Sequence, residues 1–200
     1  MSRNYGFMKV LLIFSILVMA CFASAEEVNK SKLYTAYNMW YQKSNMDCVN
    51  YQMGPMLPAG TEVQDAQVVR PVSEKFGNLV PYITFTVVAT GKKFEVAYEP
   101  SFHPKRAVLD YYNLMFTKQT FDELTQGMSE VEIKAIKEGV LLRGMSKKAV
   151  IVSVGVPPDH KTPSLEGNQW YFWKTRITNK LICFNSEGKT ADCVDSNLLL

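Results

Sequence analysis

Histidine is nearly missing from this 200-residue chain: there are two, His103 and His160. Both lie in loop-like sequence near prolines, and neither belongs to a spacing that would hold zinc. A Gly-x-Ser-x-Gly elbow and a phosphate-binding loop are also lacking, which removes the commonest hydrolase and nucleotide signatures. Charge of one sign is scarce as well. The chain carries 22 Lys and Arg against 19 Asp and Glu. Without residues 1–25, which hold Arg3 and Lys9 and no acid, the balance is 20 to 19. That is no electrostatic footprint for nucleic acid. No stretch beyond residue 25 approaches the ~20 apolar residues of a membrane span. The sequence therefore names no catalytic residue, no cofactor and no metal ligand.

What is present begins at the N-terminus. Arg3 and Lys9 precede an apolar segment, residues 10–20, broken only by Ser15. Ala23-Ser24-Ala25 then gives the small-x-small ending of a processing site, directly before Glu26 and Glu27. A positive start, a short apolar core and this ending describe an export signal better than an anchor helix. Val18-Met19-Ala20-Cys21 is a weak lipobox, so acylation of Cys21 is the alternative to the favoured cleavage after Ala25. The mature chain of 175 residues is long enough for one domain or two small ones.

Cleavage at Ala25 leaves Cys48, Cys183 and Cys193. Export permits disulfides. Cys183 and Cys193 flank the turn-rich residues 185–189, and a three-residue loop at Glu187-Gly188-Lys189 would set them opposite each other. Their pairing is the first expectation, with Cys48 free; three reduced core cysteines is the alternative.

Residues 26–103 read as a small antiparallel β-domain of SH3-like barrel size. Residues 62–69 are a strand candidate. Residues 82–89 alternate, with Ile83, Phe85 and Val87 on one face. Thr90-Gly91-Lys92-Lys93 turns the chain into a strand whose Phe94, Val96 and Tyr98 share a face. From Pro104 the period becomes helical, with Leu109, Tyr112, Leu114 and Met115 as an apolar band in a connector, residues 104–126. Ser129 and Glu132 form a capping box for a helix over residues 130–138 that stops at Gly139. Ser146 caps a second helix ended by Gly155, Pro157 and Pro158. Val150-Ile151-Val152-Ser153-Val154 has strand propensity, but the cap and the stop that flank it argue for helix. Residues 170–177 and 181–184 read as paired strands around a Thr178-Asn179-Lys180 turn, with a third strand over residues 190–194. The expected class is α+β, with residues 127–200 forming a helix pair packed on a three-stranded antiparallel sheet.

That last region resembles the SmpA/OmlA (BamE-type) outer-membrane lipoprotein domain. The likeness rests on Gly144-Met145-Ser146, Val150, Gly155 and Pro157, the aromatic strand Trp170-Tyr171-Phe172-Trp173, and Phe184 with Gly188-Lys189. Phe172 stands where tyrosine is usual. The resemblance implies the bacterial envelope, a supporting role in outer-membrane assembly or envelope integrity, and a stronger case for acylation at Cys21. It does not extend over residues 26–103.

Each conspicuous residue also has a structural explanation. Ser129 and Ser146 are helix caps. Asp159 with His160 is a loop pair before it is a catalytic dyad. Cys48, the odd cysteine, is the one candidate thiol nucleophile. On a strand, Trp170 and Phe172 share one face and Tyr171 and Trp173 the other. One pair is expected in the core; the other is a candidate contact for a protein partner or lies under a neighbouring domain. The resulting expectation is a non-enzymatic exported envelope protein that binds or scaffolds, its partner an envelope protein or outer-membrane complex. The rivals are an envelope hydrolase or thiol enzyme built around Cys48, and a secreted enzyme inhibitor.

Overall fold

The first half is organised by a strand pair that the sequence pattern sets plainly. A computed structural model describes residues 32–70 and 80–193; the export signal, Cys21 and its alternatives, and residues 194–200 lie outside the described residues. Strands β1 (Leu33–Thr35), β2 (Met39–Trp40), β3 (Asn45–Asp47) and β4 (Met56–Leu57) are short. They are followed by β5 (Glu62–Val69), β6 (Tyr82–Val87) and β7 (Lys93–Ala97). Ile83, Phe85 and Val87 of β6 and Phe94 and Val96 of β7 all face inward and are buried, as period-two alternation requires. Strand β5 is bulged between Gln64 and Gln67, where Asp65 has φ 53°, and the extra residue adds local twist to the sheet.

The sheet order is β3-β7-β6-β5-β1-β8, with β8 (Phe116–Thr117) supplied from beyond the expected β-domain. Every pairing is antiparallel except β3 with β7, which is parallel. An all-antiparallel sheet was expected. The parallel pair arises because β3 reaches the sheet from a separate loop excursion, residues 41–44, rather than through a hairpin with β7.

Helix α1 (Val108–Met115) crosses this sheet, and its phase differs from the expected band. Val108, Tyr111 and Met115 are buried, an i, i+3, i+7 stripe, whereas Leu109 is 53% exposed. The shift follows from where the helix starts. Pro104 lies in a turn four residues earlier, and Asp110 Oδ2 accepts the Ala107 N–H at 2.8 Å to open the helix there.

The second half follows its local signals closely. Helices α2 (Phe121–Thr125), α3 (Glu130–Glu138) and α4 (Lys147–Val154) are each opened by a hydroxyl cap, from Thr120, Ser129 and Ser146. Gly139 ends α3 in the left-handed conformation, φ 66°. The β-branched run is helical because α4 is surrounded: Ala149, Val150, Val152, Ser153 and Val154 are all buried, so packing overrides propensity. Strands β9 (Gln169–Trp173), β10 (Asn179–Phe184) and β11 (Thr190–Ala191) form a three-stranded antiparallel sheet in the order β11-β10-β9. Ile136, Val150, Trp170, Phe172, Ile182 and Phe184 meet in one core between helices and hairpin.

Two details of that hairpin differ from expectation. The turn comes at residues 174–178, earlier than Thr178-Asn179-Lys180, because Thr175 Oγ1 accepts the N–H groups of Ile177 and Thr178. Cys183 stands opposite Ala191, not Cys193, because the turn is centred on Glu187, one residue earlier than expected, with the Asn185 N–H donating to Lys189 O. Cys193 nevertheless lies close enough, with Cα atoms 5.1 Å apart, and the two cysteines form a disulfide.

The described residues, from Lys32 to Cys193, gather into one compact unit. Two buried asparagines join its halves. Asn38 Nδ2 donates to Ile136 O at 2.6 Å and Ser153 O at 3.1 Å, and its Oδ1 accepts the Ala59 N–H at 2.8 Å. Asn50 Nδ2 donates to Asn38 O and Val154 O, and its Oδ1 accepts the Trp40 N–H. Gly155 is one point of close approach between the halves: a Cβ there would lie 2.9 Å from Tyr37 Cε2 and 3.0 Å from Asn50 Nδ2.

Candidate functional site

The residues with recognisable chemistry converge on one buried knot. The turn before α1 carries His103 inward, to 0% exposure. Its Nδ1 lies 3.3 Å from Asp159 Oδ2 and its Nε2 3.2 Å from Cys48 O. Arg106 clamps the same carboxylate with two bonds, Nε to Oδ2 at 2.7 Å and Nη2 to Oδ1 at 3.1 Å. The Tyr111 hydroxyl donates to Cys48 O at 2.7 Å and meets the Tyr37 hydroxyl at 3.1 Å. Burial lowers the His103 pKa, against the opposing pull of the Cys48 carbonyl and Asp159. Burial also raises both tyrosine hydroxyls.

This knot has the parts of a catalytic dyad without its access. The expected Asp159–His160 neighbours do not pair. Asp159 turns to His103 and Arg106, while His160 Nδ1 donates to Phe102 O at 3.3 Å and its ring stacks on Trp173. Cys48 is 0% exposed, and burial pushes its thiol up to about 12. Burial of this kind disfavours the thiolate that nucleophilic attack requires.

The other singled-out residues have equally definite places. Ser129 and Ser146 are caps, and they share one carboxylate. Glu132 accepts from the Ser129 N–H at 2.9 Å and the Ser146 N–H at 2.8 Å, with Lys189 Nζ 3.5 Å away. Burial alone would raise Glu132, but these amides and the serine hydroxyls outweigh it and hold the carboxyl at about 2. Gly144-Met145-Ser146 runs alongside Gly188-Lys189-Thr190: Gly144 N–H donates to Thr190 O, Thr190 N–H to Met145 O, and Lys147 N–H to Gly188 O. The two ends of the family-like motif are thus bonded to each other. In the aromatic strand, Trp170 and Phe172 are buried under the helices. Tyr171 and Trp173 are half-buried, and Trp173 packs against the core of the first half.

One open feature is a trough along β3. Two clefts of about 620 and 390 Å³ share Asp47, Tyr51, Ala97 and Arg176, so they form one elongated depression. It is within the ~300–1,000 Å³ range of small-ligand sites. Asp47 is half-buried; its Oδ1 accepts the Val49 N–H at 2.9 Å. Burial raises its pKa, while Val49, Arg176 and His103 oppose the rise. Tyr51 is raised by burial and by the Asp47 charge. None of these residues stands out in sequence. Arg176 comes from the β9–β10 turn, 129 positions from Asp47 along the chain, and only folding brings them together.

Among the described residues no group of three or more His, Cys, Asp or Glu is placed to hold a metal, and no helix is long and apolar enough to cross a membrane. Compared with protein-family models, curated proteins and solved structures, the chain matches none. Fold and site together define a mixed α+β protein with a curled sheet, a disulfide-closed hairpin and a polar surface trough.

Proposed function

We propose that this is a non-enzymatic, exported protein of the cell envelope whose work is binding or scaffolding. Its C-terminal region is read as an SmpA/OmlA-like domain acting in outer-membrane assembly or envelope integrity, and its curled first sheet as a scaffold of SH3-like barrel size. One observation carries the reading: buried His103 joins Asp159 to the Cys48 backbone carbonyl, and the Cys48 thiol meets only the Glu99 backbone, while the open surface offers recognition groups. The Cys183–Cys193 disulfide suits a compartment outside the cytoplasm.

The test is fractionation of cells making the full chain, with the mass of the mature N-terminus and native electrophoresis. The expected result is an envelope-located chain beginning after Ala25, or at a lipid-modified Cys21, oxidised at Cys183–Cys193 and migrating with an outer-membrane complex. An unprocessed cytoplasmic chain with both cysteines reduced would overturn the proposal.

A further inference from the structure

The trough along β3 has a composition that selects its ligand. Strand addition is blocked, because the outward N–H and C=O of Asn45 are both bonded to Gln42, and Asp47 O accepts from Asn50. An extended peptide therefore finds no ladder there. A ligand of either charge also meets its own repeller: Lys43 and Arg176 line the trough together with Asp47 and Glu99. Those four charges cancel. What remains attractive is a neutral molecule rich in hydrogen-bond donors and acceptors.

Two further observations narrow the class. Asp47 has one oxygen committed to Val49; among the described residues no hydrogen bond or ion pair closes on the other, which lies in a half-buried position. That oxygen is open to the trough and free to accept from a ligand's donor in place of water. Trp40 and Tyr51, both half-buried, contribute aromatic surface beside it. Aromatic faces flanked by acceptor and donor side chains suit molecules with one apolar and one hydroxylated aspect. Pyranose rings are of this kind, with C–H groups on the face and hydroxyls on the rim.

We infer that the trough binds a neutral oligosaccharide of two or more rings, with Asp47 accepting from ring hydroxyls, Arg176 donating to ring or linkage oxygens, and Trp40 and Tyr51 as platforms. The two clefts in series account for the length. The inference rests on these residues alone and needs neither the family resemblance nor a protein partner, so it stands or falls separately from the envelope assignment.

Calorimetric titration of the purified oxidised chain with chitohexaose, cellohexaose and maltohexaose tests it, with glucose, hexalysine and hexaglutamate as controls. At least one hexasaccharide is expected to bind with a Kd of about 1 mM or tighter, and glucose about tenfold more weakly or worse. Asp47→Asn, which keeps an acceptor for the Val49 N–H, and exposed Arg176→Ala should each weaken that binding about tenfold at unchanged melting temperature. Tyr51→Ala should weaken it about as much, with a lower melting temperature because its ring also packs on the first core. No binding by any hexasaccharide at about 10 mM would overturn the inference. So would undiminished binding in all three variants, or tighter binding of either charged peptide.

Discussion

The two halves of the molecule are held by different kinds of information. In the second half the decisive contacts join residues whose signals are visible in sequence: a serine before a helix, a glycine after it, a cysteine on each side of a turn. In the first half they join distant residues of ordinary appearance. Asn38 reaches Ile136 and Ser153, Asn50 reaches Val154, and His103 reaches Asp159. The comparison teaches that the first half is not independent. Its innermost polar groups find their partners in the second half, so the caps and hairpin that fold locally also complete the other core.

Removing Asn38 tests that dependence and should have the largest effect. Asn38→Ala strips partners from two buried carbonyls and a buried amide. Ile136 O keeps the Gly139 N–H, so at roughly 1–3 kcal/mol for each of the other two groups a loss of about 4 kcal/mol is expected. Urea unfolding followed by tryptophan fluorescence and by far-ultraviolet dichroism measures it. Coincident transitions in the parent that separate in the variant would show that the asparagine joins the halves. A loss under about 1 kcal/mol would mean that apolar contact alone holds them together.

This contrast also explains what could be read before folding. Strand β5, helix α3 with its capping box and Gly139 stop, and the α4 cap were legible because the physics that sets them acts within a few residues. The phase of α1 was not, since it depends on His103 and Arg106 being drawn toward Asp159. Nor was the parallel β3–β7 pair, which no local pattern announces. The knot is half legible: Cys48, His103 and Asp159 each stand out in sequence, but adjacency pairs Asp159 with His160 rather than with His103. The trough was illegible, because Asp47, Tyr51 and Arg176 have no motif and meet only through tertiary structure.

Glu132 carries the comparison into the second half, with a somewhat smaller effect. Its carboxylate joins the caps of α3 and α4, so a local device here performs a tertiary task. The folded-state value of about 2 lies below the ordinary 4.5. The stabilisation is therefore complete above pH 4.5 and is lost as the pH falls toward 2, on the order of 3 kcal/mol in all. Glu132→Gln should lose about 2–3 kcal/mol at pH 7, because an amide group replaces one acceptor facing the cap amides. Its stability should also vary less than the parent's between pH 5 and pH 2. An unchanged slope in acid would assign the pH dependence to other carboxylates.

The disulfide should give the smallest effect and the sharpest boundary. It closes a separation of 10 residues, for which chain-entropy reasoning gives about 2–3 kcal/mol. A bond of such short span restrains mainly its own hairpin, and β11 consists of only Thr190 and Ala191. Yet Thr190 also accepts from Gly144 and donates to Met145, and its hydroxyl donates to Leu142 O. Reducing the bond, or Cys183→Ser with Cys193→Ser, should therefore loosen the hairpin and the opening of α4 together. Hydrogen exchange is expected to quicken first at Gly144 and Thr190 N–H while the β6 and β7 amides keep their protection. Faster exchange throughout both sheets would mean that the hairpin supports the whole molecule, and that local and long-range stabilisation are less separable than the two patterns of contact suggest.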